Sequence, residues 1–340
     1  MNRDELEIKN LLKTFVESWQ SGNTDNLDDI VTKDVQIDFD IFDKGIDIKE
    51  LKKNLATRTR NVTYSRFEVY NYVCVANEKE AVQSAVISGF FVDEDCAKPT
   101  NFAFCTFMVN DLVKEKQGWK YKNLRMGLGS ESDNHGRLYS TGVGIDYRNG
   151  DPSFVENWHL IPNEVGWHNG SRIGSVVPEI DAPWYKITNR TNIGSDKEQI
   201  EECLYKYCFS MDYDCLELYD QVYDEDFKAV YRGAPIYDKR TCTALLKFER
   251  AGMIGTGHIF APEKIVVNGD YAYAHVYRTG MTGAPSELLF KDTKKKNYVF
   301  ARYDFKFVKK SNRWLMLNLD YYEGGVQEIE RGKDIIVAEG

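Results

Sequence analysis

The chain carries one structural plan twice, and this repeat restricts its possible folds more than any other feature. Residues 4–125 and 196–322 contain the same order of predicted helices and strands. Corresponding residues lie 192, 191 and 195 positions apart in three pairs: Asp34 and Asp226, Ala81 and Ala272, and Trp119 and Trp314. A repeat of this length predicts a duplicated domain, because the units of solenoid proteins span only about 20–50 residues.

Each copy begins with helices and ends with strands. Apolar residues at helical spacing predict a long amphipathic helix at the start of each copy, with Asp4 and Asp196 as N-caps. Four segments of alternating, β-branched and aromatic residues then predict four strands. Helices followed by a strand meander are typical of α+β domains, not of doubly wound parallel sheets. We therefore predict two tandem α+β domains, each with N-terminal helices packed on a curved, mostly antiparallel sheet.

The repeat divides the chain into four predicted parts. They are a first domain (1–128), a connector (129–194), a second domain (195–327) and a tail (328–340). The connector is rich in Gly, Asn and Ser, yet it contains Trp158, Trp167 and Trp184. Because structureless loops of this length are unusual, we expect it to pack against the domains. His159 and His168 lack a nearby carboxylate or cysteine cluster, which favours packing over a metal site; a lid over a pocket is the open alternative.

Composition and charge exclude several classes of function. The 340 residues carry a formal net charge of −9 and no long basic stripe. A nucleic-acid partner is therefore not expected, because such binding needs many phosphate contacts on one surface. The sequence has no apolar stretch of about 18 residues and no apolar signal core, so we expect a cytoplasmic protein that does not enter a membrane. The seven cysteines show no CxxC spacing, which favours buried thiols over disulfides or a zinc site.

Three stretches of the second copy resemble one fold family. They are YCFSMDYDCLELYDQVYDEDF, VVNGDYAYAHVY and NRWLMLNLDYYEG, and they are similar to the first helices, the hairpin and the closing strand of nuclear transport factor 2-like, or SnoaL-like, domains. The resemblance implies cone-shaped domains with a pocket between the long helix and the concave face of the sheet. It also implies sheet-to-sheet pairing, here as an internal pseudo-dimer of the two copies, with a higher oligomer left open. The family includes dehydratases, isomerases, polyketide cyclases and proteins that only bind or assemble.

Four residues of the second copy resemble the acid–base set of one branch of that family. Tyr207, Asp212, Tyr231 and His258 are similar to the Tyr–Asp–Tyr–His set of the scytalone dehydratase and bile-acid 7α-dehydratase branch. The resemblance implies that the Asp and His form an acid–base pair and that the tyrosines hold a substrate oxygen. Neutral histidine is a suitable base near pH 7, a carboxylate fixes its tautomer, and a phenol can donate to an enolate. This chemistry needs no metal and no organic cofactor.

The first copy serves as an internal control for these residues. At an offset of 192, the corresponding residues are Phe15, Gln20, Phe39 and Arg66. None of the four side chains is kept, which predicts an active second copy and a degenerate first copy. Each residue also has a purely structural interpretation. Tyr207 and Tyr231 fit a core, Asp212 fits a helix-end turn, and His258 fits a loop.

Two further polar residues lie on the strand YAYAHVYR of the second copy. Alternation places Arg278 with Ala272 and Ala274 on the face predicted to meet the helices, and His275 on the opposite face with the tyrosines. Arg278 is a candidate substrate-binding residue for an anionic group. The resemblance implies a second histidine on a later strand, and an outward-facing His275 does not clearly fill that role.

These observations predict a function for the second copy. The leading prediction is a cofactor-independent lyase (dehydratase) or isomerase acting on a hydrophobic, cyclic carbonyl or hydroxy compound through the Asp212–His258 pair. The alternative is a non-enzymatic module of the same fold that binds a small hydrophobic molecule or assembles. Geometry separates the two, because only the enzyme requires His258 and Asp212 to converge within hydrogen-bond distance.

Overall fold

The computed structural model describes most of the chain as two compact units. The described residues are 3–39, 43–58, 62–93, 100–133, 138–140, 176–213, 215–231, 233–250, 253–254, 257–282, 284–285 and 295–330. The units are Met1–Asn192 and Ile193–Glu330. The division lies two residues before the predicted start of the second domain. Residues 176–192, at the end of the predicted connector, belong to the first unit.

The first unit combines helices with one sheet. Its helices are α1 (Arg3–Ser21), α2 (Leu27–Ile30), α3 (Ile48–Arg58), α4 (Pro178–Asp181) and α5 (Pro183–Lys186). Its strands are β1 (Val31–Phe39), β2 (Asp43–Ile46), β3 (Val62–Ala76), β4 (Glu80–Asp93), β5 (Thr100–Glu115), β6 (Gly118–Asp133) and β7 (Leu138–Ser140). The strand order is β2–β1–β6–β5–β4–β3, with β7 paired to β6.

The second unit repeats this arrangement. Its helices are α6 (Asp196–Asp212), α7 (Leu216–Asp220) and α8 (Lys239–Arg250). Its strands are β8 (Tyr223–Tyr231), β9 (Ala234–Ile236), β10 (Met253–Ile254), β11 (Ile259–Asn268), β12 (Tyr271–Thr282), β13 (Ala284–Pro285), β14 (Lys295–Lys310) and β15 (Arg313–Glu330). The main sheet has the order β9–β8–β15–β14–β12–β11, and β10 pairs with β13.

The two main sheets share one topology. In each, the strand after the second helix runs parallel to the last long strand, β1 to β6 and β8 to β15. The other described pairings are antiparallel. The prediction of two repeated α+β domains with mostly antiparallel sheets is confirmed.

A three-residue cluster recurs at the start of the long helix in both units. It consists of an aspartate, a lysine on the penultimate long strand and a tryptophan on the last one: Asp4, Lys114 and Trp119, and Asp196, Lys309 and Trp314. The lysine–carboxylate distances are 2.8 and 2.6 Å, and the lysine nitrogens lie 5.5 and 5.7 Å from the indole centroids. The predicted N-cap role of Asp196 is wrong, because Ser195 caps α6 in a capping box with Glu198.

Residues 176–192 are held on the first unit by buried ion pairs. Arg125 on β6 lies 3.2 Å from Asp111 on β5 and 2.7 Å from Asp181 on α4. Lys186 on α5 contacts both carboxylates, at 2.8 and 3.3 Å. Burial raises the pKa of Asp181, but Arg125, the Val177 N–H group and Lys186 more than offset this, and the pKa lies below its ordinary value. Buried charges persist only when they are paired in this way.

The end of the predicted connector also closes the edge of the first sheet. The Asn192 side chain accepts a hydrogen bond from the Ala76 N–H group at 2.8 Å and donates to the Cys74 carbonyl at 2.8 Å. The packing expected of the connector therefore applies to its described part, which includes Trp184 on α5. Trp158, Trp167, His159 and His168 lie outside the described residues.

Each unit has its own apolar core, and the two cores differ in polarity. The described core of the first unit is almost entirely apolar and contains one buried tyrosine, Tyr121. The described core of the second unit contains a group of buried tyrosines: Tyr207, Tyr219, Tyr223, Tyr303 and Tyr321. Buried hydroxyl groups are costly unless they are hydrogen-bonded. The second core therefore contains polar groups that packing alone does not require.

Among the described residues, no helix combines the length and apolar character needed to cross a lipid bilayer.

Candidate active site

Asp212 and His258 are joined by two hydrogen bonds inside the second unit. Asp212 is the last residue of α6, and His258 directly precedes β11. The Asp212 Oδ1 atom lies 2.5 Å from His258 Nδ1, and the His258 backbone N–H group donates to Asp212 Oδ2 at 2.9 Å. The exposed fractions are 7% for Asp212 and 3% for His258. Both carboxylate oxygens are engaged, so the carboxylate is fixed relative to the ring.

This geometry determines how the imidazole can act. An ionised carboxylate accepts hydrogen bonds only, so a neutral His258 carries its proton on Nδ1. The lone pair then resides on Nε2, which becomes the basic atom. A carboxylate at the C-terminal end of a helix is disfavoured by the helix dipole. The two bonds from His258 compensate for that placement.

Tyr207 borders the pair from the same helix, five residues before Asp212. Its ring centroid lies 6.3 Å from the His258 ring and 5.8 Å from Phe260, on which it stacks. Burial raises the pKa of Tyr207 well above its usual range, and the nearby Tyr219 and Tyr303 reinforce this shift. Tyr207 therefore stays neutral at physiological pH and acts as a hydrogen-bonding phenol, not as a base.

Arg278 lies on the buried face of β12, as the alternation predicts. Its cross-strand neighbours are Phe260 on β11 and Ala301 on β14, and its exposed fraction is 8%. The Nη1 atom donates to the Tyr303 hydroxyl at 3.3 Å. Within the described part of the chain, the buried Nε–H group has no hydrogen-bond acceptor. Burial lowers the pKa of Arg278, but Tyr303, Tyr207 and Asp212 outweigh this effect, so the guanidinium stays charged.

Tyr231 lies farther along the same group of aromatic rings. It stacks on Tyr321, with ring centroids 5.0 Å apart, and Tyr321 meets Tyr303 at 5.0 Å. Tyr303 in turn accepts the hydrogen bond from Arg278. The structure thus brings Asp212 and His258 into direct contact, places Tyr207 against the His258 ring, and connects Tyr231 to Arg278 through two intervening rings.

The sequence prediction did not single out Tyr303, although a signal for it was present. Tyr303 shares its strand face with Ala301 and Phe305, and all three are buried. Its cross-strand partner is Val276, two residues from Arg278. The period-two pattern of ARYDFKF placed a tyrosine on the core face. Its pairing with Arg278 depended on the strand register, which the sequence did not give.

His275 belongs to the opposite face of the sheet. Its Nδ1 atom contacts Asp304, its Nε2 atom lies 3.6 Å from Glu263, and its ring centroid is 5.1 Å from Tyr277. Tyr277 is exposed. His275 therefore does not take the part of a second histidine on the face that carries Arg278.

The first unit has the same helix-to-strand contact without the acid–base groups. Gln20, at the end of α1, accepts a hydrogen bond from the Phe67 N–H group at 2.9 Å, just as Asp212 does from His258. Phe67 is therefore the counterpart of His258, at an offset of 191. Arg66, the residue chosen by the offset of 192, is exposed and pairs with Glu68 at 2.9 Å.

Among the described residues, no group of three or more His, Cys, Asp or Glu side chains is arranged to hold a metal ion. Five described cysteines are buried and form no disulfide: Cys74, Cys203, Cys208, Cys215 and Cys242.

Comparison with known proteins identifies the domain type of the second unit. Residues 194–320 match the family model of the SnoaL-like domain, so the C-terminal part of the chain contains a SnoaL-like domain. No curated protein matches the chain in sequence.

Three solved structures are similar to part of the chain. A scytalone dehydratase-like protein from Novosphingobium aromaticivorans is 15% identical, with a TM-score of 0.35 over 42% of this chain and 95% of its own. The hexachlorocyclohexane dehydrochlorinase LinA type 3 from Novosphingobium barchaimii is 10% identical, with a TM-score of 0.35 over 42% of this chain and 94% of its own. A protein of unknown function from Mycobacterium tuberculosis is 13% identical, with a TM-score of 0.32 over 38% and 71%. Identities this low carry no information about substrate.

The stability of the second unit is expected to fall at alkaline pH. Burial raises the pKa of four core phenols, those of Tyr207, Tyr219, Tyr223 and Tyr303. It also raises the pKa of two core thiols, that of Cys208 well above its usual range and that of Cys203 to about 12. The unfolded chain releases these protons from about pH 9 for thiols and about pH 10 for phenols, while the folded domain retains them. Each such group then lowers the free energy of unfolding by about 1.4 kcal/mol per pH unit.

The contribution of these neutral phenols and thiols to the free energy of unfolding is therefore fully present below about pH 9. It is lost as the pH rises towards their raised pKa values in the folded state. Urea unfolding at a series of pH values, with tyrosinate absorbance as a second signal, measures this loss. An unfolding midpoint that stays constant from neutral pH into the range of phenol ionisation would contradict it.

Proposed function

We propose that the second unit is a cofactor-independent lyase or isomerase that removes a proton next to the carbonyl of a hydrophobic, cyclic carbonyl or hydroxy compound. The observation that carries this proposal is the Asp212–His258 pair, in which both carboxylate oxygens are hydrogen-bonded to the histidine within an aromatic core. The match of residues 194–320 to the SnoaL-like domain supports the same broad class.

The first step is proton abstraction by His258. The Nε2 lone pair takes the proton from the carbon next to the carbonyl. The electrons of that C–H bond form a carbon–carbon double bond, and the carbonyl π electrons move to oxygen, which gives an enolate. Asp212 stabilises the imidazolium that results, as a carboxylate does in other histidine-based sites.

The second step returns the proton. In a dehydration, the enolate re-forms the carbonyl, its electrons form the new double bond, and the C–O bond at the β carbon breaks. The departing hydroxide takes the proton from the imidazolium and leaves as water. In an isomerisation, the imidazolium instead returns the proton to another carbon of the enolate system. Either outcome restores neutral His258 and keeps atoms and electrons in balance.

The remaining predicted residues have supporting roles in this proposal. Tyr207, against the His258 ring, donates a hydrogen bond to a substrate oxygen. Arg278 contacts the substrate from the sheet, and Tyr231 holds the aromatic wall through Tyr321. A module that only binds small molecules needs the aromatic lining but not an aligned carboxylate and imidazole. The geometry of the pair therefore favours the enzyme over that alternative.

The test is proton exchange in deuterated water. Cyclic ketones and cyclic β-hydroxy ketones are incubated with the protein, and deuterium incorporation next to the carbonyl is followed by ¹H NMR. The wild type is expected to catalyse exchange or elimination with part of this panel, and Gln20→Ala, in the first unit, to leave the rate unchanged. Exchange no faster than in buffer for every compound would overturn the proposal.

A further inference from the structure

We propose that Arg278 and Tyr303 together hold the substrate oxygen as it becomes negatively charged, and that the substrate enters as a neutral carbonyl compound. This inference rests on the proposed function and names the substrate class of the same site. Neither the spacing of the predicted residues nor the family resemblance places an arginine–tyrosine pair there. It follows from the strand register that brings β12 and β14 together.

Arg278 has hydrogen-bonding capacity that the described protein does not use. Its guanidinium is buried, one nitrogen donates to Tyr303, and the Nε–H group has no acceptor among the described residues. An unsatisfied buried donor costs about 1–3 kcal/mol, and more when it is charged. Such a group is explained when a ligand supplies the missing acceptor.

Tyr303 is oriented by the same contact. Its hydroxyl oxygen accepts the bond from Arg278 at 3.3 Å, so its own proton points to a different acceptor. Burial raises the pKa of Tyr303, although Arg278 lowers it in part, and the phenol keeps that proton at physiological pH. The pair thus offers two donors of different type, a charged N–H and a phenolic O–H, which suits an oxygen that gains charge during the reaction.

Charge balance selects a neutral substrate. The proposed mechanism starts from an Asp212 carboxylate, an Arg278 guanidinium and a neutral His258 imidazole, so these three groups sum to zero. After proton abstraction, His258 and the enolate carry one charge each, of opposite sign, and the sum is again zero. A substrate that arrives as a carboxylate adds an uncompensated negative charge to a buried cluster, which is costly. The cluster therefore favours a neutral carbonyl that becomes anionic only on the protein.

Substituted phenols test this inference without knowledge of the natural substrate. A phenol enters neutral, presents one oxygen on a flat ring, and becomes an enolate analogue when its proton passes to His258. Phenols with pKa values from about 7 to about 10 are titrated into the protein near neutral pH. Ultraviolet absorbance distinguishes bound phenolate from bound phenol, and calorimetry gives the dissociation constants.

The wild type is expected to bind the more acidic phenols as phenolates. Arg278→Met is expected to lose the phenolate band and to bind at least about tenfold more weakly, as for the loss of a charge-assisted hydrogen bond. Tyr303→Phe, a conservative change that preserves packing, is expected to weaken binding by about threefold to tenfold. Arg278→Lys keeps the charge and retains part of the band. Tyr121→Phe is the matched control, because it changes a buried tyrosine of the first unit. It is expected to leave the phenolate band and the dissociation constants unchanged.

Failure of this inference and failure of the proposed function give different results. A phenolate band that is equally strong in wild type, Arg278→Met and Tyr303→Phe, or wild-type binding of neutral phenol alone, would overturn the assignment of the oxyanion site. Cyclohexanecarboxylate binding more tightly than the phenols would overturn the neutral-substrate class. A full band in His258→Asn, lost in Arg278→Met, would leave the oxyanion site in place and remove His258 as the base.

Discussion

Replacing His258 by asparagine is expected to lower the rate of proton exchange by about 10²–10⁴-fold, the usual contribution of a positioned general base. Asparagine retains an amide that can still hydrogen-bond to Asp212, so the environment changes little. It has no lone pair basic enough to accept the proton. The measurement is the initial rate of deuterium incorporation with any cyclic ketone that the wild type accepts.

The variant needs a matched control because a change in folding would also reduce the rate. His275→Asn removes the histidine on the opposite face of the sheet, where it contacts Asp304 and not the pair, and it is expected to keep the wild-type rate. Equal rates for His258→Asn and wild type would show that another group abstracts the proton. Equal losses in both histidine variants would point to a structural cause.

Replacing Asp212 by alanine is expected to destabilise the second unit by about 3–5 kcal/mol, the cost of breaking a buried charged network by removing one partner. The change leaves the His258 N–H group without its acceptor and leaves the buried Arg278 charge without the nearby carboxylate. Asp212→Asn keeps the shape and one acceptor, so a smaller loss is expected. Urea unfolding followed by tryptophan fluorescence measures both variants, fitted with separate transitions for the two units.

Gln20→Ala provides the matched comparison in the first unit. Gln20 accepts the corresponding bond, from the Phe67 N–H group at 2.9 Å, but neither partner is charged. The expected loss is about 1–3 kcal/mol, that of a neutral buried hydrogen bond. Equal losses for Asp212→Ala and Gln20→Ala would indicate that Asp212 acts only as a helix-end acceptor. They would remove the energetic basis for a charged pair.

The repeat and the helix and strand patterns of the sequence were sufficient to predict the fold class. The alternating strands and amphipathic helices occur in the same order twice, and the two main sheets have the same strand order. In the described part of the chain, each main sheet also contains one parallel pair, which the sequence did not predict. The equivalences of Asp4 with Asp196 and of Trp119 with Trp314 correspond to the same side-chain cluster in both units. Periodicity is a reliable signal because one face of each element must be buried.

The sequence did not give the exact register between the copies. A constant offset of 192 paired His258 with Arg66, whereas the shared backbone contact pairs it with Phe67. One residue changes the face of a strand, because side chains alternate. Local insertions shift the offset from 192 to 191 and then to 195 along the chain. Only the strand pairing determines where each shift occurs.

The candidate site was predicted in part. Asp212 and His258 were selected by the resemblance, and they are in direct contact. Tyr303 was missed because its interaction with Arg278 joins two strands that are 25 residues apart in sequence. Likewise, the ion pairs that hold residues 176–187 on the first sheet join residues far apart in the chain. Contacts of this kind follow from tertiary packing and leave no periodic signal.

The most direct test of the central claim is the ¹⁵N NMR spectrum of the His258 ring in the wild type and in Asp212→Asn. In the wild type, the neutral ring is expected to carry its proton on Nδ1, with a pyrrole-type Nδ1 signal and a pyridine-type Nε2 signal. In Asp212→Asn, that preference is expected to weaken, because the neutral amide no longer requires a donor at Nδ1. A wild-type ring protonated on Nε2, or a spectrum unchanged by the substitution, would contradict the assignment of Asp212 and His258 as an acid–base pair.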